Sequence, residues 1–393
     1  MTSEAVVDKY ADIRPYDDHE VEAVLERVIN DDEFVSAIAK LQFPKAPEQL
    51  TWLIKRSIRL YLKWRVRGVK TVWDFQMLVR PYVEQMIQRT TAGFSVSGIE
   101  NLDPNKSYLF ISNHRDIALD PALLNFALVN AGMGTLRIAI GDNLLTKPFA
   151  SDLMRLNKSF IVNRTAKAPR QILQASKLLA QYIRHSVNDD QNSVWLAQRE
   201  GRAKNGYDAT EPAIIKMLSL SKHSKAETLS ETVRNLHIVP VAISYEYDPC
   251  DADKSRELYI KETEGNYEKA DQEDIASIAK GISGEKGQVH VAVGAELSGE
   301  YQDAEDVAKA IDAQILSLYQ LHSSNYYAHK AMVGDNAKAE AIAEARGWTG
   351  APANMAKAMF ESRVNAIPES DRDIFLKMYS VCLERKLELG LLD

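Results

Sequence analysis

The sequence is poor in cysteine, in long apolar runs and in the signature of a serine hydrolase. Cys250 and Cys382 are its only cysteines, which excludes a disulfide framework and most cysteine-based metal sites. Nowhere do about 18 apolar residues follow one another, so no transmembrane helix is expected. The first twenty residues, MTSEAVVDKYADIRPYDDHE, are acidic and hold no apolar signal core, which makes a cytoplasmic location the expectation. There is no internal repeat, no low-complexity tract and no Gly-x-Ser-x-Gly elbow. A serine nucleophile of that kind is excluded.

What remains is ordinary globular material. An apolar fraction of 45% and a charged fraction of 26% exclude wholesale disorder. The 393 residues exceed one compact core, so two or three structural units are expected.

Hydrophobic periodicity divides the chain. Apolar positions recur at helical spacing over 17–43, which reads as one helix ended by Pro44 and Pro47. Residues 50–72 form a basic helix, and 75–87 another with a break at Pro81. Residues 1–95 thus read as an N-terminal helical unit. From 96 the pattern changes to short β-branched runs: SYLFIS, TLRIAI, SFIVN, SVWLAQ, LHIVPVAIS and QVHVAVG. Such near-continuous apolar runs suit strands covered on both faces. Helical stretches at 121–131, 168–185, 210–221 and 302–319 fall between them, while 222–234 reads as an exposed excursion. The expected fold is α/β: a mixed, largely parallel sheet flanked by helices over 96–321. A helical C-terminal extension follows over 322–393, with helices near 335–346 and 369–389.

The stretch YLFISNHRDIALDP (108–121) raises the chemistry. His114 follows an apolar strand, where α/β proteins gather functional groups. Asp120-Pro121 reads as a helix cap with proline in the first turn. An aspartate six residues on can turn back to one imidazole nitrogen and leave the other as a base. Asp116 is the rival partner. Without such a pairing His114 is a loop histidine and Asp120 only a cap.

Three later blocks sharpen the choice: LNKSFIVNR ending in Arg164, VWLAQREGRAKNG, and HIVPVAISYEYDP with Pro240 inside an apolar strand. Their order over roughly 96–250 resembles the glycerolipid acyltransferase family, which comprises glycerol-3-phosphate and 1-acylglycerol-3-phosphate O-acyltransferases. Two departures mark a divergent member. Five residues separate His114 from Asp120 where the family has four, and Glu-Gly-Arg stands where the family has Glu-Gly-x-Arg. The resemblance implies that His114, oriented by Asp120, acts as general base on a glycerol or lysolipid hydroxyl that attacks an acyl thioester. Arg164, Arg202 and Lys204 would hold the acceptor's phosphate. Glu200 would position the acceptor, Gly201 would allow close backbone approach, and Pro240 would shape the pocket wall; Ser112 and Asn113 would order the loop. The donor would be acyl-CoA or acyl-carrier protein, and no cofactor is implied. The rival expectation is a non-catalytic lipid or acyl-carrier binding protein on a degenerate acyltransferase scaffold.

Residues 50–72 carry seven Lys or Arg and no acid. On a helix Arg56, Arg59, Lys63, Arg67 and Lys70 share one face, and Ile54, Ile58, Leu62, Val66 and Val69 another. Arg65 falls within the apolar stripe. Trp52, Tyr61 and Trp64 suit a water–lipid boundary. Three readings stay open: docking on an anionic membrane surface, docking of an acidic acyl-carrier protein, or an apolar stripe packed inside the unit with a solvated basic face. The first makes the protein peripheral on the inner face of the membrane. Nucleic acid is not expected, because no recognition motif accompanies the charge. Residues 141–157 line an acyl channel or form a plain Met-Leu core helix. Glu246, Asp248 and Asp251 read as a solvated loop rather than a metal site, and the other histidines lack ligand spacing. No metal is expected.

Overall fold

The computed structural model describes residues 8–391 other than 46 and 271, so the opening of the acidic N-terminal stretch lies outside the described residues. Seven strands form one sheet: β1 (Gly93–Ser97), β2 (Leu109–Ser112), β3 (Arg137–Gly141), β4 (Ser159–Val162), β5 (Val194–Ala197), β6 (Ile238–Tyr245) and β7 (Gln288–Val293). Their order is β1-β7-β6-β2-β5-β3-β4. Every pairing is parallel except β6 with β7. The α/β expectation of a mixed, largely parallel sheet flanked by helices holds.

Alternation along β2 explains its central place. Leu109 and Ile111 enter one apolar cluster and Phe110 the other, all three fully buried. Burial of each is worth about 1.5–3 kcal/mol. Helices Pro169–Asn188, Pro212–Leu218 and Ala304–Leu318 cover the first face, together with the C-terminal helices. Helices Val72–Thr90 and Leu119–Asn130 cover the second.

Several local expectations need correction. The helix expected over 17–43 is two, Val21–Asn30 and Asp32–Gln42, because Asp31 is extended and its side chain caps the second. The helix expected over 50–72 stops at Arg65; Gly68 turns the chain at φ +90. Thr71 and Asp74 then cap Val72–Thr90, which runs through Pro81 without a break. Part of the expected excursion at 222–234 folds as helix Leu229–Asn235, burying Ser230, Thr232 and Val233. Strand β1 and the helices Asp251–Glu264 and Glu273–Ser283 have no counterpart in the sequence reading. The loop read as solvated is not so: Asp251 is buried against Arg363 and Tyr379, and Asp248 pairs with buried Lys254.

Helix Thr51–Arg65 resolves into two apolar faces. Ile54, Ile58 and Leu62 pack on Val35 and Ala39, and Val66 and Val69 join the cluster around Val24 and Phe75. The stripe read from the sequence is therefore internal. A second one, Trp52, Leu53, Leu60, Tyr61 and Trp64, stays exposed, with Leu60 62% and Trp64 66% accessible. Among the described residues no helix is long and apolar enough to cross a membrane.

Candidate active site

The register fixes the site. Ser112 at the end of β2 lies opposite Ala197 of β5 and Val241 of β6, so the loops leaving these strands open at one end of the sheet. Asn113 extends the edge in place of a strand residue. Its side chain accepts from the Ile243 N–H at 2.8 Å and donates to the Ile243 carbonyl at 3.0 Å. His114 then stands just past the sheet.

His114 Nδ1 lies 2.8 Å from Asp120 Oδ2. That oxygen also accepts the backbone N–H of Arg115 at 2.7 Å and of Asp116 at 3.0 Å. The Tyr245 hydroxyl donates to Asp120 Oδ1 at 2.8 Å. Asp120 is wholly buried, so these donors replace the water a carboxylate would otherwise need. Burial and the Asp120 charge hold the Tyr245 hydroxyl far above the usual phenol range, which keeps it a donor. Because Nδ1 faces a carboxylate, its proton stays there and Nε2 is the basic nitrogen. The Trp195 ring packs edge-on against the imidazole at 5.5 Å.

The cap assignment changes. Helix Leu119–Asn130 begins one residue before Asp120, and Asp116 caps it, with Oδ1 accepting from Ala118 and Leu119 at 2.9 Å each. Asp116 is thus the cap and Asp120 the partner of His114. Burial, with the neighbouring Asp120 charge, pushes the Asp116 carboxyl up.

A cleft of about 390 Å³ opens beside the imidazole. Its lining brings together His114, Arg164, Glu200, Gly201, Arg202 and Lys204, with Arg199 and Lys261. Ile117, Ile140, Leu144 and Leu258 add apolar wall. A Cβ on Gly141 would crowd the side chains of Asn143 and Arg164. The cations differ in their freedom. Lys204 is tied to Glu257, which also takes Lys261 at 2.7 Å; burial lowers the Lys204 pKa. Arg164 stands 3.5 Å from Glu200, both well exposed. Arg202 keeps a buried Nη1 with no hydrogen-bond partner among the described residues. Arg199 Nε, in the same lining, is buried and unpartnered among the described residues as well, so the cleft wall carries two unmet donors that suit an anion.

Two expected roles take a different form. Gly201 has open space where a Cβ would stand, so its φ of +73, rather than close approach, calls for glycine. Pro240 does not line the cleft. It pairs with Ile111 across β2 and precedes the first antiparallel pair with β7, and its carbonyl accepts from Gly294 at 2.8 Å. The absent N–H therefore falls at the end of that ladder and not within it. Of residues 141–157, Gly141, Asn143 and Leu144 line the cleft, while Leu153 and Leu156 pack into the N-terminal helices. Tyr245, Trp195 and Arg115 were not singled out from the sequence; only the tyrosine's position at the end of an apolar strand hinted at its role. Among the described residues no cluster of three or more His, Cys, Asp or Glu is arranged for a metal.

Comparison with protein families finds a match over part of the chain. The family model described as Acyltransferase matches residues 93–244, from the start of β1 to one residue short of the end of β6. Residues 93–244 thus carry the likeness to the Acyltransferase family. The resemblance read from its motifs is borne out, and the acyltransferase domain holds every cleft residue named above except Lys261 and Leu258. The solved structures that match include the 1-acyl-sn-glycerophosphate acyltransferase PlsC from Thermotoga maritima. It is 12% identical over 76% of this chain and 94% of that one, with a TM-score of 0.36. A likeness of that degree carries no argument here. No curated protein matches the chain significantly.

Proposed function

We propose that this acyltransferase moves a fatty acyl group from the thioester of acyl-CoA or acyl-carrier protein to a hydroxyl of glycerol 3-phosphate or 1-acylglycerol 3-phosphate. One observation carries the reading: His114, held at Nδ1 by buried Asp120, shares a cleft with the unpartnered Arg202 guanidinium. The acceptor hydroxyl hydrogen-bonds to Nε2. Its oxygen attacks the thioester carbonyl as the proton passes to His114, and Asp120 stabilises the imidazolium. The tetrahedral adduct collapses, the C–S bond breaks, and the departing thiolate takes the proton back. Arg202, with Arg164, holds the phosphate, while Ile117, Ile140, Leu144 and Leu258 flank the acyl chain. No cofactor enters these steps. An intact base, orienting carboxylate and free guanidinium speak against a degenerate, purely binding scaffold.

The same reading places the enzyme peripherally at the cytoplasmic face of the membrane. Leu53, Leu60 and Trp64 form an exposed apolar stripe beside Arg56, Lys63 and Arg67, the composition of a helix that lies in an anionic interface. An apolar groove of about 800 Å³ adjoins it, lined by Phe43, Leu50 and Tyr82. The test is acyl transfer by the purified chain with glycerol 3-phosphate or lysophosphatidate, beside its His114→Ala variant.

A further inference from the structure

Arg115 is the residue directly after the base, in the spacer that is one longer than the family's. Its side chain turns away from the cleft and into the protein. Nη2 donates to Asp208 Oδ2 at 2.6 Å and to the Gly206 carbonyl at 2.9 Å. Nη1 reaches the Ala203 carbonyl at 3.4 Å. All three acceptors belong to the loop that carries Glu200, Gly201 and Arg202. A backbone bond from Ala203 N–H to the His114 carbonyl at 2.9 Å closes the same junction. From the other side, buried Lys254 donates to the Arg115 carbonyl at 2.7 Å.

The C-terminal helix Arg372–Leu389 backs this junction. Arg385 donates to the Asp208 carbonyl at 2.7 Å, and a Cβ on Gly206 would lie 2.1 Å from the Met378 carbonyl. The ion pair is not shaped for stability alone. It is single-stranded: Arg115 Nε and Asp208 Oδ1 are buried with no partner among the described residues. Burial also pushes the Asp208 carboxyl up in spite of the adjacent guanidinium. A buried pair that leaves donors and acceptors unmet is a poor source of stability, and its best-attested use is to fix register.

We propose that Arg115 is a positioning residue, which through Ala203, Gly206 and Asp208 sets the distance between the His114 base and the Arg202 anion site. The inference rests on the acyltransferase reading and adds a specificity role to it. The span from base to guanidinium decides which separation of hydroxyl and phosphate an acceptor can present. Arg115 then serves as the clamp between the two catalytic loops.

The test compares wild type, Arg115→Lys, Arg115→Gln and Asp208→Asn, each first checked for folding by thermal unfolding. KM and kcat are measured for glycerol 3-phosphate and for glycerol, which has the hydroxyls without the phosphate. Displacement of this kind costs roughly tenfold to hundredfold. The expected result is a rise of that size in KM for glycerol 3-phosphate in Arg115→Gln, a smaller one in Asp208→Asn, and partial rescue in Arg115→Lys. Activity on glycerol changes little, so the preference for the phosphate-bearing acceptor collapses. Folded Arg115→Gln and Asp208→Asn with unchanged KM and unchanged preference overturn the proposal and leave the functional reading standing. A variant whose losses are equal on both acceptors reports a merely structural role and overturns it too. A wild-type chain that acylates neither acceptor overturns the functional reading and this inference with it.

Discussion

His114 Nδ1 and Asp120 Oδ2 stand 2.8 Å apart, although the spacer between them is five residues. The loop absorbs the extra residue by folding around the carboxylate, whose Oδ2 takes the N–H groups of both Arg115 and Asp116. Asp120→Asn keeps one oxygen for the three donors at Oδ2 but removes the charge that stabilises the imidazolium. The expected loss in kcat is roughly 10²–10⁴, with the fold retained. Asp116→Asn keeps an oxygen for the cap and costs little activity. Steady-state kinetics of the two variants side by side separate the roles; equal losses would assign Asp116 to the chemistry.

The cleft cations make a second contrast. Arg202 has a free guanidinium nitrogen, whereas Lys204 is committed to Glu257. Arg202→Gln is expected to raise KM for a phosphate-bearing acceptor by roughly tenfold or more, the scale of one charge-assisted bond. Lys204→Gln leaves buried Glu257 with Lys261 alone and is expected to lower Tm more than it changes KM. The reverse ranking in KM would move the anion site to Lys204.

Much of the fold was legible because β2, β5 and β6 are buried apolar runs rich in β-branched and aromatic residues. Strand β1 escaped because Gly93–Ser97 lies half exposed at the edge of the sheet, without an apolar run to mark it. The helices Asp251–Glu264 and Glu273–Ser283 escaped because the first is polar along most of its length and the second short. At the site, His114 and the Glu-Gly-Arg loop were readable as motifs. Tyr245 and Arg115 were not, since their roles depend on which strand lies beside β2 and on a helix some 267 residues further on, where Cys382 approaches Arg115. The helix Thr51–Arg65 misled because it has two apolar faces, and periodicity alone cannot say which one packs.

That exposed face gives a third prediction. The chain is expected to sediment with vesicles containing anionic phospholipid at low salt and to be largely released at high salt, as screening weakens the Arg56, Lys63 and Arg67 contribution. The double change Leu60→Ser, Trp64→Ser removes the apolar contribution and is expected to weaken binding at both salt levels without lowering Tm, since both side chains are exposed. Undiminished binding by the double variant would place the contact elsewhere.

A fourth concerns acid stability. His322 caps helix Ser323–Val333 and is buried; burial, with His290 nearby, lowers its pKa to about 3. In the unfolded chain it titrates near 6.5. Between those values the unfolded state binds a proton that the folded state refuses, so stability falls as pH drops below about 6.5. The slope approaches about 1.4 kcal/mol per pH unit for this group. His322→Asn keeps a good cap residue and removes the titration. Urea unfolding at pH 7.5 and pH 5 is expected to show a loss smaller by about 2 kcal/mol in the variant; equal losses would contradict it.

The central claim is that His114 is the base of an acyl transfer. Its most direct test is the rate of acyl transfer from acyl-CoA or acyl-carrier protein to glycerol 3-phosphate or lysophosphatidate, for wild type and His114→Ala at matched Tm. The account predicts product with wild type and a loss of roughly 10²–10⁴ in the variant. A wild type that acylates neither acceptor, or a His114→Ala protein of undiminished rate, would contradict it.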